Sequence, residues 1–230
     1  MKRLNLGCGE FRKAGYVNLD IRPDVGAEIV HDLQDFPYPF PDGEFDLVEA
    51  DHVLEHLRDP FGVMRELHRI TKDGGVVVLR TPHFSRGFSH PEHQRGFDVS
   101  FPLYFRPRFK GGYQGVEYEL KDVRLTWFAQ KYLKASTLSP LQYCAGVCLG
   151  GVLSFLAGLS PYACSRVWCF WVGGFEEIMF RLAVKKARSP VGQIPGEKTY
   201  LTVGSAGGPG RPTPMLPRRV VGSQNRPLIP

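Results

Sequence analysis

Leu4-Asn5-Leu6-Gly7-Cys8-Gly9 reads as a short apolar strand that runs straight into a glycine turn, and an acidic residue, Asp20, closes the next apolar run, Val17-Asn18-Leu19. In an open α/β sheet this pairing holds a nucleoside: the glycines let the backbone approach the ligand, and the carboxylate takes the ribose hydroxyls. Taken alone, Gly-x-Gly is equally an ordinary strand-to-loop turn. Downstream, strands are expected near 28–31, 45–50 and 75–80, with a helix over 60–71 and a loop rich in Pro37, Pro39, Pro41 and Gly43. In the helix, Phe61, Met64, Leu67 and His68 share a face, and core packing explains them without a site.

The order His31-Asp32-Leu33, Asp42-Gly43-Glu44-Phe45-Asp46-Leu47-Val48, His52-Val53-Leu54-Glu55-His56-Leu57 and Gly74-Gly75-Val76-Val77-Val78-Leu79 resembles the class I S-adenosylmethionine-dependent methyltransferases, type 11 branch. It covers residues 1–84, and 85–188 more loosely. It implies an α/β fold: a Rossmann-like, doubly wound, seven-stranded, mostly parallel sheet with an antiparallel last strand. The cofactor implied is S-adenosylmethionine. By resemblance Asn5, Gly7, Cys8, Gly9 and Glu10 wrap its methionine part, Asp20 with Ile21 takes the ribose, Asp32 and Leu33 meet the adenine, and Ala50, Asp51 and His52 line the sulfonium side.

Only Glu10 to Tyr16 separate Gly9 from the second strand, too few for the usual crossover helix. Without that helix its N-terminal dipole is weak, which disfavours an anionic pyrophosphate and hence NAD, but does not penalise a ligand lacking phosphate.

The chain has 230 residues, enough for one α/β core, and nothing at its start reads as a signal peptide. The five cysteines, Cys8, Cys144, Cys148, Cys164 and Cys169, suit reduced thiols and a cytoplasmic location. Most of the net charge of +6 sits beyond Ser189, where Lys198, Arg211, Arg218, Arg219 and Arg226 face only Glu197. With no aromatic stripe among these cations, a nucleic-acid substrate is not expected. The Pro/Gly-rich composition of 189–230 predicts a disordered tail after a methyltransferase domain at 1–188.

Segments 116–128 and 178–186 alternate as strands, the last pair of the sheet. Between them an apolar helical insertion, about 136–175, has no charged residue from Ala135 to Ser165. Its stretch Leu141–Leu159 is long enough to span a bilayer, but Gly146, Gly150, Gly151 and Gly158 dilute it. A buried or homodimer-forming helix and a peripheral membrane-dipping hairpin are both open readings.

Methyl transfer is in-line displacement at an activated carbon, so positioning dominates, plus a base where the acceptor is a hydroxyl. His83, after the fifth strand, and His93 are the base candidates; backbone hydrogen bonding is the plainer role for each. A metal at His90 and His93 lacks an obvious third ligand, so none is expected. The function expected is methylation of O or N on a small-molecule, sugar or lipid-linked acceptor. The alternative is an S-adenosylmethionine-binding regulatory or scaffold protein without chemistry.

Overall fold

The computed structural model describes residues 1–86 and 90–186. The chain divides into a unit Met1–Arg188 and a unit Ser189–Pro230, and the second, with the expected tail, lies outside the described residues.

Seven strands, β1 (Arg3–Leu6), β2 (Val17–Asp20), β3 (Ile29–Val30), β4 (Phe45–Asp51), β5 (Thr71–Pro82), β6 (Glu117–Thr126) and β7 (Glu177–Lys185), form one sheet in the order β3-β2-β1-β4-β5-β7-β6. The first five pair in parallel, whereas β7 runs antiparallel to both neighbours, β5 and β6. The switch point between β1 and β4 therefore opens at the carboxyl ends of the strands, where ligands settle in such sheets.

Helix α1 (Pro60–Ile70) is the regular crossover between β4 and β5. Asp59 caps it, its side chain accepting from the Gly62 N–H at 2.8 Å, and Pro60 supplies a helical φ at N1. Val63, Met64, Leu67 and Ile70 are its buried stripe. Tyr118 of β6 reaches across to donate to the Met64 carbonyl at 2.8 Å, and Phe101 stacks on Phe61 and tilts against Phe180 of β7. Strand β5 absorbs the turn expected at 72–75, because Thr71 pairs with Phe45 across a register shift between Phe45 and Leu47.

The first crossover is as short as the spacing between Gly9 and the second strand predicts. Between β1 and β2 the chain makes a turn closed by Phe11 N–H to the Cys8 carbonyl at 2.9 Å, with no helix. The register places Leu4, Leu6, Leu19, Val48, Ala50, Val77, Leu79, Phe180 and Leu182 on the face toward α1. The opposite face carries Asn5, Asn18, Glu49, Asp51, Arg80 and Arg181.

The insertion folds as α2 (Lys131–Thr137), α3 (Pro140–Leu159) and α4 (Pro161–Arg166) at the carboxyl ends of β5 and β6. A capping box of Ser139 and Gln142 starts α3. Gly146 and Gly150 let it close on Phe128, where an added Cβ would sit 2.8 and 2.6 Å from the ring and from its Cβ. Ser154 accepts from the Trp127 N–H at 3.0 Å. Only Gly150 and Ala157 of α3 are buried, so Leu141, Leu149, Val152, Phe155 and Leu159 face outward.

Candidate functional site

A cavity of about 790 Å³ opens where β1, β4 and β5 end and β7 begins, its walls including Asn5, Gly7, Cys8, Gly9, Glu10, Asp51, His52, Arg80, Gln130 and Glu177. Its rim is the glycine turn. Gly7 and Gly9 both have left-handed backbones, φ 63° and 48°. At Gly7 packing also forbids a side chain, since a Cβ would lie 2.6 Å from Val53 Cγ2; at Gly9 the nearest atom is 3.9 Å away, so only the backbone conformation and the open cavity require glycine. Asp20 fastens the turn from below: its Oδ2 accepts from Gly9 N–H at 2.7 Å and its Oδ1 from Arg22 N–H at 3.0 Å. Asn5 works the same way, donating to the Phe11 carbonyl at 3.1 Å and to Asn18 Oδ1 at 2.9 Å.

The cavity floor is an ion network. Lys13, from the shortened crossover, donates to Asp51 at 2.8 Å and to Glu49 at 3.0 Å, while Arg80 donates to Asp51 at 2.6 Å. Burial alone would lower the Lys13 pKa, but the hydrogen bonds to Asp51 and Glu49 outweigh it and raise it. Burial likewise opposes ionisation of Asp51, and its bonds to Lys13 and Arg80 win, so its pKa falls.

His52 sits with φ 56°, a left-handed conformation that non-glycine residues adopt at a cost of about 1–2 kcal/mol. Its backbone N–H is held by the Arg80 carbonyl at 2.8 Å, Nδ1 meets Glu55 at 3.3 Å and Nε2 meets Glu177 at 3.1 Å. Burial pulls its pKa down, but the two carboxylates outweigh this and raise it to about 9. Gln130, φ 46°, is the only other described non-glycine residue with positive φ. Both residues, with Ala129, line this cavity and a second one of about 560 Å³, whose walls add Phe84, Arg86, His90, His93, Lys134 and Glu176. Arg86 and Lys134 both pair with Glu176. Strained backbone clusters at functional sites, which marks His52 and Gln130 as candidates where the two cavities adjoin.

The structure gathers Asn5, Gly7, Cys8, Gly9, Glu10, Asp51 and His52 at the larger cavity and sets Asp20 behind the turn. Ala50 is fully buried beneath, and Ile21 is exposed away from the cavity. It does not bring Asp32 and Leu33 there. Asp32 Oδ1 accepts from Gln34 N–H at 2.9 Å and the Leu33 carbonyl from Tyr38 Oη at 2.9 Å, so both belong to a local turn beside a separate depression of about 360 Å³. His83 is corrected more sharply. It is wholly buried and lines neither cavity, with Nδ1 at 2.7 Å from Ser85 Oγ and Nε2 at 2.8 Å from Ser165 Oγ of α4. Desolvation drives its pKa down to about 4, so it is a neutral strut between β5 and the insertion. His93 lines the smaller cavity. Lys13, Arg80, Gln130 and Glu177 were missed by sequence reasoning. Glu177 is separated by 125 residues from the histidine it meets, and no local pattern marks it.

Residues suited to S-adenosylmethionine are present: a glycine turn no side chain could follow, carboxylates at the cavity floor, and a volume within the usual range for small-ligand sites.

Residues 4–79, a third of the chain, match the family model described as Methyltransferase domain. An uncharacterized methyltransferase of Schizosaccharomyces pombe is 50% identical over 45 residues, which is 20% of this chain and 16% of that protein. Ajmaline N-methyltransferase of Rauvolfia serpentina is 40% identical over 63 residues, 27% of this chain and 21% of its own. Ubiquinone biosynthesis O-methyltransferase of Pseudomonas paraeruginosa is 49% identical over 39 residues, 17% of each chain. The matched part thus spans about a fifth or less of these relatives. Among solved structures, the methyltransferase seen in complex with the Haloferax volcanii Trm112 activator superposes with a TM-score of 0.51 at 15% identity, covering 82% of this chain and 84% of that one, and shows the fold.

Proposed function

We propose that this chain, built on the methyltransferase domain at residues 4–79, is an S-adenosylmethionine-dependent methyltransferase acting on O or N of a small-molecule, sugar or lipid-linked acceptor. The observation that carries the reading is the junction of the two cavities at His52, Ala129 and Gln130, one cavity rimmed by the glycine turn and the other open to an acceptor. When bound, the cofactor supplies a methyl group on a sulfonium sulfur.

The chain's own work is positioning. Gly7 and Gly9 set the backbone against the ligand, Asp20 holds that turn and keeps lone pairs for ribose hydroxyls, and Asp51 gives the floor negative charge. His52 and Glu177 stand between the two chambers and fix the line of approach. Arg86, Lys134 and Glu176 make the acceptor chamber polar, which suits a hydroxylated group. The uncovered apolar side of α3, with Trp171 and Phe170 also exposed nearby in sequence, supports a peripheral membrane contact that would deliver a lipid-linked acceptor. Flotation with anionic-lipid vesicles tests that contact, and a Phe155→Asp variant that floats as well as the parent would remove it.

Calorimetric titration with S-adenosylhomocysteine tests the cofactor site without knowledge of the acceptor. Micromolar binding is expected, weakened by about 1–3 kcal/mol in Asp20→Ala. A folded protein that does not bind would overturn the reading. Binding without methyl transfer to any hydroxylated or amine acceptor would favour the regulatory alternative.

A further inference from the structure

Beside the acceptor chamber lies a cluster that methyl transfer does not call for. Glu55, His56 and His93 each bring one ligand atom within 4.8 Å of the others. Glu55 and His56 come from the 3-10 turn Leu54–His56 after β4, and His93 from the loop that follows β5. That loop is bound to the turn at Gln94 and Arg95. Gln94 N–H donates to the Glu55 carbonyl at 2.9 Å, Gln94 Nε2 to the His56 carbonyl at 3.0 Å, and Arg95 to the carbonyls of Leu57 and Arg58 at 2.9 and 3.2 Å. The imidazoles of His56 and His93 meet edge to face at 4.9 Å between centroids, and that of His90 stacks on His93 at 4.8 Å.

The second observation concerns Glu55. Its side chain is fully buried, its Oε1 is taken by His52, and its Oε2 is buried with no hydrogen-bond partner. A carboxylate oxygen in that state costs several kcal/mol unless something positive completes it. No backbone N–H, Lys or Arg lies within hydrogen-bond distance of it among the described residues.

We propose that Glu55, His56 and His93 hold a divalent transition-metal ion of the Zn²⁺ type at the wall of the acceptor chamber. Two imidazoles and one carboxylate are the donor set of three-ligand zinc sites that keep a fourth position open, and they are a poor set for Mg²⁺ or Ca²⁺, which demand oxygen ligands. Tetrahedral bonds near 2.0–2.1 Å put ligand atoms about 3.3 Å apart, so the cluster closes by side-chain rotation. His52 orients the ligating carboxylate through Oε1, as outer-shell partners do. His93 lines the chamber, so an ion there would pin the loop and face an acceptor hydroxyl. That last role rests on the proposed methyl transfer, while the binding of the metal does not.

The test uses the full chain without a histidine tag, stripped with chelator and titrated with Zn²⁺ by calorimetry and with Co²⁺ by visible absorption. One ion per chain with tetrahedral Co²⁺ bands is expected. His93→Ala and His56→Ala should each weaken binding beyond the roughly 10–100-fold typical of an outer-shell loss, and Cys144→Ser with Cys148→Ser should leave it unchanged. No stoichiometric binding, binding that survives both histidine variants, or binding lost with the cysteines would overturn the site. His93→Ala lies in a loop, so it remains informative if His56→Ala fails to fold. Titration of the same sample with S-adenosylhomocysteine separates failure of this site from failure of the methyltransferase reading.

Discussion

On one face of the sheet Leu6, Leu19, Ala50, Leu79 and Phe180 are fully buried under α1 and the loop bearing Phe101; on the other, Lys13 donates to Glu49 and Asp51, Arg80 donates to Asp51, and Asn5 and the Lys13 N–H share Asn18 Oδ1. A crossover helix between β1 and β2 would cover that second face with apolar side chains. Here the crossover is a turn, and from it Lys13 reaches back across the strands as a cation. The apolar face thus supplies cohesion. The polar face continues into the cavity, because Asn5, Lys13, Asp51 and Arg80 are also its walls. Shortening one connection has turned sheet surface into binding surface.

That contrast predicts unequal costs for neighbouring substitutions. Phe180→Ala, deep in the apolar face, should lower unfolding free energy by about 3–5 kcal/mol in urea titration. An effect under 1 kcal/mol would mean that this face does not carry the fold.

The next effect concerns the strut between sheet and insertion. Its native pKa of about 4 lies below the usual His value near 6.5, so on acidification the unfolded chain takes up the proton first. Stability is therefore full above pH 6.5 and falls as pH drops toward 4, by about 3 kcal/mol from this group. Urea unfolding of the parent and His83→Gln at pH 7.5, 5.5 and 4 checks it; equal slopes in the two would show that His83 does not titrate this way.

On the polar face, Lys13→Met should cost about 1–2 kcal/mol, since Glu49 loses its hydrogen-bonded cation and keeps only Arg80 at 4.0 Å, while Asp51 keeps Arg80 at 2.6 Å. The same variant sharpens the comparison through binding, because it alters the cavity floor: S-adenosylhomocysteine affinity should change although an apolar-face variant of equal stability leaves it alone. The smallest effect belongs to Arg181→Ser, one residue from Phe180 and exposed on the other side of the strand, at under about 0.5 kcal/mol.

Much of the fold was legible in advance. The strands at 3–7, 16–20, 28–31 and 45–50 and the helix at 60–71 follow from period-2 and period-3.6 patterns. The glycine turn and Asp20 were legible because a left-handed backbone and a strand-end carboxylate leave local marks. His83 was misplaced because position after a strand says nothing about what packs over it, and Ser165 arrives from a helix 82 residues away. Asp32 and Leu33 line a separate depression and not the larger cavity, a placement set by how distant segments pack and not by the local sequence.

Periodicity, turn chemistry and the length of the first crossover were enough to define the sheet, the glycine rim and the apolar insertion, because each is a short-range property of consecutive residues. Which carboxylate faces His52, which histidines cluster with Glu55, and whether α3 is covered depend on contacts between segments far apart in the chain. Burial sets the charge state and availability of those groups, and burial exists only once the distant segments have packed.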